Sequence, residues 1–524
     1  MSSSTLPLTP TTTNPVVGAG ENAETYWPWA TPTPGPAPAD PDTQLGFDPG
    51  EVATARRRVR SGQFPEWLDH VSAAAACTRP IRLSGQIDVR NRDGQHMHTI
   101  DTNSMPDGVI YTPCGNRRAS VCPSCAEVYR RDTFQIIRAG LEGNRYGLPP
   151  LGQHIAIFLT ATAPSFGPVH HRVVKTHAAD CKSRERCTCR ASICRPFGNT
   201  CPHGAEIRCT ARHKTTDPAL GTAFCLDCYD YAGHVTWNHD APELWRRTVQ
   251  EVDRELERLG KRLGVDLRRR HVKVYEFQAR GVIHYHAIFR LDGYNPDCPS
   301  AIVPADRIVT RAMFASVLED AFDKTSYTSA PHPANGDNGW HIGWGSKGLD
   351  LKHINVPGGD ANLTKLTGYL AKYVTKGTEV TGASFRRFDD LAVELHADPA
   401  THVGRMIRAC WDLGQADGWE RLRRYAHQYG HGGHITTKSR GFSVTFAFKR
   451  MERVIWRRTQ GFPHLWDDQE ADLVVYRLGY EATGWITTGD ALLANSAADA
   501  ARRRAHALDL ADLDQAATAH PLAA

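Results

Sequence analysis

The chain has 524 residues, with 62 Lys and Arg against 57 Asp and Glu, so it is far longer than one compact domain and carries a net charge of only +5. On a prior of ~150 residues per domain, several structured units are expected, and the mild positive balance permits an anionic partner without requiring one. No apolar run approaches the ~20 residues of a membrane span and no basic segment leads into an apolar export signal, so a cytoplasmic protein without a membrane partner is expected.

Residues 1–45 are rich in Thr, Pro, Ser and Ala (TPTTTNP, TPTPGPAPADP) and bury too little apolar surface to offset their ordering entropy, which predicts a disordered leader. The 14 cysteines, in a chain with no export signal, read better as metal ligands than as disulfides. In an amino-terminal region over 46–150, Cys77, Cys114, Cys122 and Cys125 form a candidate structural Zn²⁺ site, anchored by the C-P-S-C pair at 122–125. HIAIFLTAT (154–162) predicts a strand, and with the Cys/His-rich insertion behind it makes a second region over 151–235. Within the insertion Cys225 and Cys228 form another tight pair. Cys201, His203, Cys209 and His213 compete to complete it, and Cys201 and Cys209 are favoured. Cys181, Cys187, Cys189 and Cys194 are crowded enough for a third site, or equally for a loop with free thiols. Cys298 and Cys410 read as ordinary buried cysteines.

A core over 236–450 opens with DAPELWRRTVQEVDRELERLGKRLG (240–264), whose apolar residues recur at helical spacing behind Asp240 as N-cap. The strand HVKVYEFQ follows, then GVIHYHAIF. Alternation on that strand puts His284 and His286 on one face. With Ala279-Arg280-Gly281 as a three-residue loop, Glu276 pairs with His284 and joins them; a two-residue loop would set Glu276 against Tyr285 and turn it away. One carboxylate and two imidazoles suit a divalent ion, Mg²⁺ or Mn²⁺, with positions left open for substrate.

LTGYLAKYVTKG (366–377) places Tyr369 and Tyr373, and likewise Lys372 and Lys376, four residues apart, so a helix lines up each pair on its own face. A tyrosyl oxygen is a poor nucleophile until a nearby cation favours its ionised form, which lysine can do, and a divalent ion polarises a phosphodiester. The predicted reaction is attack of tyrosine on DNA phosphorus. The basic runs at 56–60, 268–271, 386–388, 421–425 and 449–458 are each weak evidence for nucleic acid, since such runs are usually solvated faces. Residues 451–524 form a carboxy-terminal extension, and its Ala/Arg-rich part from 490 reads as a loosely attached helix or tail.

His284-Tyr285-His286 resembles the His-hydrophobic-His signature of HUH endonucleases, and YLAKYVTK (369–376) resembles their tyrosine motif. Over about 75–455 the chain is similar to rolling-circle replication initiators of actinobacterial plasmids and integrative elements. The likeness rests also on CGNRRASVCPSCAEVYRRD (114–132), CPHG (201–204), CLDCYDYAG (225–233), GHITTKSRGFS (433–443) and IFLTATAPSFG (157–167). The resemblance implies an α+β fold, an HUH nuclease core with a central antiparallel sheet flanked by helices. It implies a DNA-nicking endonuclease that binds origin DNA, duplex and single-stranded, and keeps the 5′ phosphate on tyrosine. The 3′ hydroxyl is left for host DNA polymerase, with a host helicase, and a second transfer closes the circle. Many such initiators have one tyrosine here; this segment has two, and the K-Y-x-x-K setting favours Tyr373 for the first cleavage. A relaxase or transposase shares this chemistry, although no G-x-x-x-x-G-K-[ST] of a fused helicase is present. The rival of another class is a non-catalytic, zinc-stabilised DNA-binding regulator.

Overall fold

The computed structural model describes residues 49–91, 93–143, 146–178, 181, 189–346, 348–354, 360–378, 387–461 and 473–519. The expected leader over 1–45 and Cys187 lie outside them. The chain divides into two compact units: one joins residues up to Cys114 with those from Asp472 onward, and the larger spans Gly115–Ala471. This differs from the division expected at 150, 235 and 450. The reason is pairing between the chain's two ends: strand Leu473–Thr483 runs antiparallel along Ile81–Arg90. The smaller unit buries Trp67, Val71, Tyr111 and Ala494 together. Its terminal helix Thr488–Ala519 is docked at its start rather than loose. Asp490 receives Arg58 at 2.8 Å and exchanges hydrogen bonds with Thr487 in a reciprocal cap.

The larger unit is built on a five-stranded sheet that is antiparallel throughout. Its strands are β1 (Ile155–Thr162), β2 (Leu267–Phe277), β3 (Ile283–Gly293), β4 (Leu349–Ile354) and β5 (Thr436–Lys438), in the spatial order β5-β2-β3-β1-β4. The fold is mixed α and β with antiparallel sheets. β3, the central strand, is buried on both sides, which explains its nearly continuous apolar run.

One face of the sheet packs on helix Tyr231–Leu263, where Trp245 meets Tyr285 and Phe289 at 5.4 and 5.8 Å between ring centroids. That helix begins ten residues before the expected start, capped by Asp230 rather than Asp240, and runs through Pro242. Proline has no N–H to give the Asn238 carbonyl one turn earlier. His431 supplies the missing donor: its Nδ1 lies 2.9 Å from that oxygen. The signal for the longer helix is therefore tertiary and sits far along the chain.

The other face is covered by helix Pro123–Glu142 and by helix Asp360–Tyr373. Arg290, on β3 and fully buried, ties the first of these down by donating to the Gly140 carbonyl at 2.6 Å, while its Nε and Nη2 clasp Asp292 at 2.7 and 2.8 Å. His154 adds a contact to Asp292 at 2.8 Å. Burial disfavours the Asp292 charge, but the bonds from His154 and Arg290 outweigh it and hold the carboxyl below its ordinary range. Asp292→Ala leaves Arg290 charged and unpaired in the core, so a loss of about 3–5 kcal/mol is expected. Urea denaturation of the full chain, followed by tryptophan fluorescence, checks this; an unchanged midpoint contradicts it.

Several cations of the basic runs pair within their own units. Arg58 pairs with Asp107 and Asp490, Arg269 with Asp253, Arg423 with Asp390, and Arg453 with Asp132. Arg268 lies over Tyr294 at 3.8 Å. Among the described residues, no helix is long and apolar enough to cross a membrane.

Candidate metal centre and tyrosine helix

The hairpin turn decides the site. Gly281 adopts φ +84°, which glycine tolerates without strain, and the Gln278 N–H donates to the Val282 carbonyl at 2.9 Å. That closes a three-residue loop and sets Glu276 opposite His284. Glu276, His284 and His286 thereby share the helix-covered face next to Asp360–Tyr373, with ligand atoms all within 4.8 Å of one another. His286 Nε2 lies 3.2 Å from Glu276 Oε1, and the two imidazole rings meet edge to face at 4.7 Å.

The neighbouring strand orients both rings. Thr162 lies directly across from His284 and Thr160 across from His286, and their hydroxyls approach the Nδ1 atoms at 3.1 and 3.3 Å. Gln278 Nε2 also reaches His284 Nδ1, at 3.3 Å. These contacts at Nδ1 fix the orientation of each ring. Burial, reinforced by His286 and Arg280, pushes His284 down to about 3, so it is neutral and keeps a lone pair near pH 7. Two imidazoles and one carboxylate on a single face fit a divalent ion.

The turn itself is gripped from behind. Asn238 donates to the Gly281 carbonyl at 3.0 Å and accepts from the Ile283 N–H at 3.0 Å, and His402 Nε2 lies 3.1 Å from the Arg280 carbonyl. Gly221, in the Cys/His-rich insertion, packs so closely that a Cβ there would fall 2.3 Å from the Ala279 carbonyl carbon.

Helix Asp360–Tyr373 brings both tyrosines to this face. The Tyr373 ring stacks on His286 at 5.1 Å and 21°, and the Tyr369 ring meets His286 edge to face at 5.4 Å. Tyr373 is buried, Tyr369 is 42% exposed and Lys372 is exposed. The helix ends at Tyr373, so Lys376 lies beyond it rather than one turn along from Lys372. The chain turns back there, with the Lys376 N–H donating to the Tyr373 carbonyl, and the Lys376 ammonium comes to rest 5.5 Å from the Tyr373 ring centroid. Arg117 fixes this segment by donating to the carbonyls of Val374 and Lys376 at 3.2 and 2.8 Å.

The family model for the replication initiator protein RepSA of pSAM2 matches residues 63–499. The chain belongs to the RepSA family of replication initiators. A curated replication initiator protein of Streptomyces ambofaciens is 35% identical over 466 residues, covering 87% of this initiator and 94% of that relative. No solved structure matches the chain.

The cysteines of the initiator fall into groups that can hold metal, with two corrections to the expected sets: Cys209 leaves Cys201, Cys225 and Cys228, and Cys194 leaves Cys181 and Cys189. In the insertion, Cys201, Cys225 and Cys228 come together with His203, not with Cys209. Cys209 sits instead with His170, Cys194 and His213. Backbone pairing is the cause: Cys209 faces Arg195 at the base of a hairpin whose tip carries Cys201. His177, Cys181 and Cys189 form a further group. In the smaller unit the Cys114 N–H donates to Cys77 Sγ at 3.3 Å; in the larger, buried Cys122 and Cys125 stand at the start of helix Pro123–Glu142. Cys410 is buried as expected, but Cys298 is exposed, on the loop after β3. Sequence reasoning missed Thr160, Thr162 and Gln278 around the histidines and Arg117 behind the tyrosines. The two threonines had a signal, since they alternate on a strand whose register against HYH puts them on the same face.

Proposed function

We propose that this initiator is an HUH-type nuclease that nicks one strand of origin DNA and carries the 5′ phosphate on a tyrosine of helix Asp360–Tyr373. The observation that carries the reading is the convergence of Tyr369 and Tyr373 on His286, itself 3.2 Å from Glu276 and beside His284. Such a face positions a phenol against a phosphodiester. A Mg²⁺ or Mn²⁺ ion held by Glu276, His284 and His286 supplies a Lewis acid for the phosphodiester oxygens.

The residues themselves account for the rest of the step. The tyrosyl oxygen attacks phosphorus, the bond to the 3′ oxygen breaks, and the tyrosyl proton ends on that leaving oxygen. One phosphoester replaces another. The freed 3′ hydroxyl can then serve host polymerase, with a host helicase opening the duplex, and the reverse attack by a 3′ hydroxyl rejoins the strand. Lys376, close to the Tyr373 ring, favours negative charge on that phenol. Thr160 and Thr162 keep the imidazoles from rotating. On this reading the cysteine groups bind structural zinc and take no part in the chemistry.

Covalent capture tests the proposal. Incubated with a supercoiled plasmid carrying the cognate origin and Mn²⁺, the full chain should yield a nicked circle with protein bonded to its 5′ end, stable to denaturant and absent after chelation. Binding without such an adduct would leave the regulator reading in its place.

A further inference from the structure

Apart from His177, Cys181 and Cys189, the ligand pairs of the Cys/His-rich insertion do not follow one another as separate sites along the chain. His170 and Cys194 belong to one group, Cys201 and His203 to the other, Cys209 and His213 to the first again, and Cys225 and Cys228 to the second. First and third pairs meet, as do second and fourth. We propose that the insertion is a cross-braced module of two structural zinc ions, one held by His170, Cys194, Cys209 and His213 and the other by Cys201, His203, Cys225 and Cys228, with neither loop able to stand without both ions.

The separations fit tetrahedral sites. Ligands bound to zinc at the usual lengths lie ~3.3–3.8 Å from one another. In the first group, His170 Nδ1 is 3.3 Å and Cys209 Sγ 3.5 Å from His213 Nε2. In the second, His203 Nδ1 is 3.2 Å from Cys228 Sγ and 3.8 Å from Cys225 Sγ. All four ligand atoms of each group lie within 4.8 Å of one another.

An outer partner fixes the first site further. His213 Nδ1 lies 2.7 Å from Asp217 Oδ2 and donates to that carboxylate, so Nε2 carries the lone pair and points at His170 and Cys209. Two thiols and two ring nitrogens converging on one point are suited to a cation placed among them. A two-thiolate, two-imidazole set and a three-thiolate, one-imidazole set are both zinc sets.

Backbone pairing joins the two sites. Residues 194–209 form a hairpin in which Arg195 and Cys209 exchange hydrogen bonds at 2.9 and 2.8 Å, and the Cys201 N–H donates to the Ala205 carbonyl at 2.9 Å at the tip. Its base carries ligands of the first ion and its tip ligands of the second. A second ladder pairs Val169 with Ala223 and runs His170 of one site alongside the approach to Cys225 of the other. Among the described residues between Phe166 and Asp230 there is no helix and no strand, and few apolar side chains are buried. A segment with so little core depends on metal for its order.

Two measurements on the full chain, with its zinc exchanged for Co²⁺, test the ligand sets and the bracing. His203→Cys and His213→Cys keep four ligands each but add a thiolate, so each should raise thiolate-to-cobalt charge-transfer absorption and shift the d–d bands to the red. If Cys201, Cys209, Cys225 and Cys228 shared one ion, His203 would not be a ligand and His203→Cys would leave the spectrum unchanged; an unchanged spectrum at either position overturns the sets. For the bracing, Cys194→Ser with Cys209→Ser should lower zinc content by about two ions per chain, because the hairpin they hold also carries Cys201 and His203. A loss of one ion only would overturn the interdependence.

Discussion

Replacing His286 by Ala is expected to abolish nicking of single-stranded origin DNA while duplex origin binding stays near its original strength. The ring is 3.2 Å from the Glu276 carboxylate and is packed between Phe158 and Tyr373, at 5.9 and 5.1 Å. On the proposed function its loss removes a metal donor and one wall against which a tyrosine is held. A bound divalent ion is worth several kcal/mol of transition-state charge stabilisation, so a fall of about three orders of magnitude follows. Affinity for DNA comes mostly from Lys and Arg contacts to phosphates, which His286 does not make. Because the substitution also opens a cavity, Thr160→Val is the companion: it removes the hydroxyl near Nδ1 but keeps a similar volume, and should weaken metal dependence more than it weakens folding. His286→Ala nicking at the unaltered rate across Mg²⁺ and Mn²⁺ titrations would sink the metal assignment.

The hairpin was legible because its chemistry is local. Ala279-Arg280-Gly281 supplies the left-handed glycine, period-two alternation supplies the face, and together they place Glu276 opposite His284. The helix through Pro242 was not, since the bond that permits it comes from His431, nearly two hundred residues on. Lys376 marks the same boundary: helical spacing put it beneath Lys372, but the helix stops at Tyr373 and a turn held by Arg117 brings the ammonium back over the ring. Cys209 failed for a related reason. On sequence alone Cys209 is favoured beside Cys201 as partner of the 225–228 pair, whereas hairpin pairing places the two at opposite ends of one loop. Spacing identifies ligands well and partners them poorly wherever strands fold back.

Tyr373→Phe is expected to lose the covalent DNA adduct, and Tyr369→Phe to keep it while releasing closed circles poorly. Either change removes one oxygen and leaves the ring in place, so packing against His286 persists and any stability cost stays near ~1 kcal/mol. On the proposed function Tyr373 has the better chemical setting for the first attack: its ring stacks on that of His286, and the Lys376 ammonium is 5.5 Å from its centroid. Tyr369, one helical turn earlier and 42% exposed, has the better access for a second strand arriving later. The two rings are 4.9 Å apart, so one ion and one pair of imidazoles can serve both in turn. Lys376→Gln should slow the first cleavage and spare DNA binding, separating the charge effect from the position of the phenol. A peptide map of the trapped adduct decides between them: 5′ phosphate on Tyr373 fits this order, and 5′ phosphate on Tyr369 alone reverses it, making exposure rather than the nearby cation the factor that selects the nucleophile.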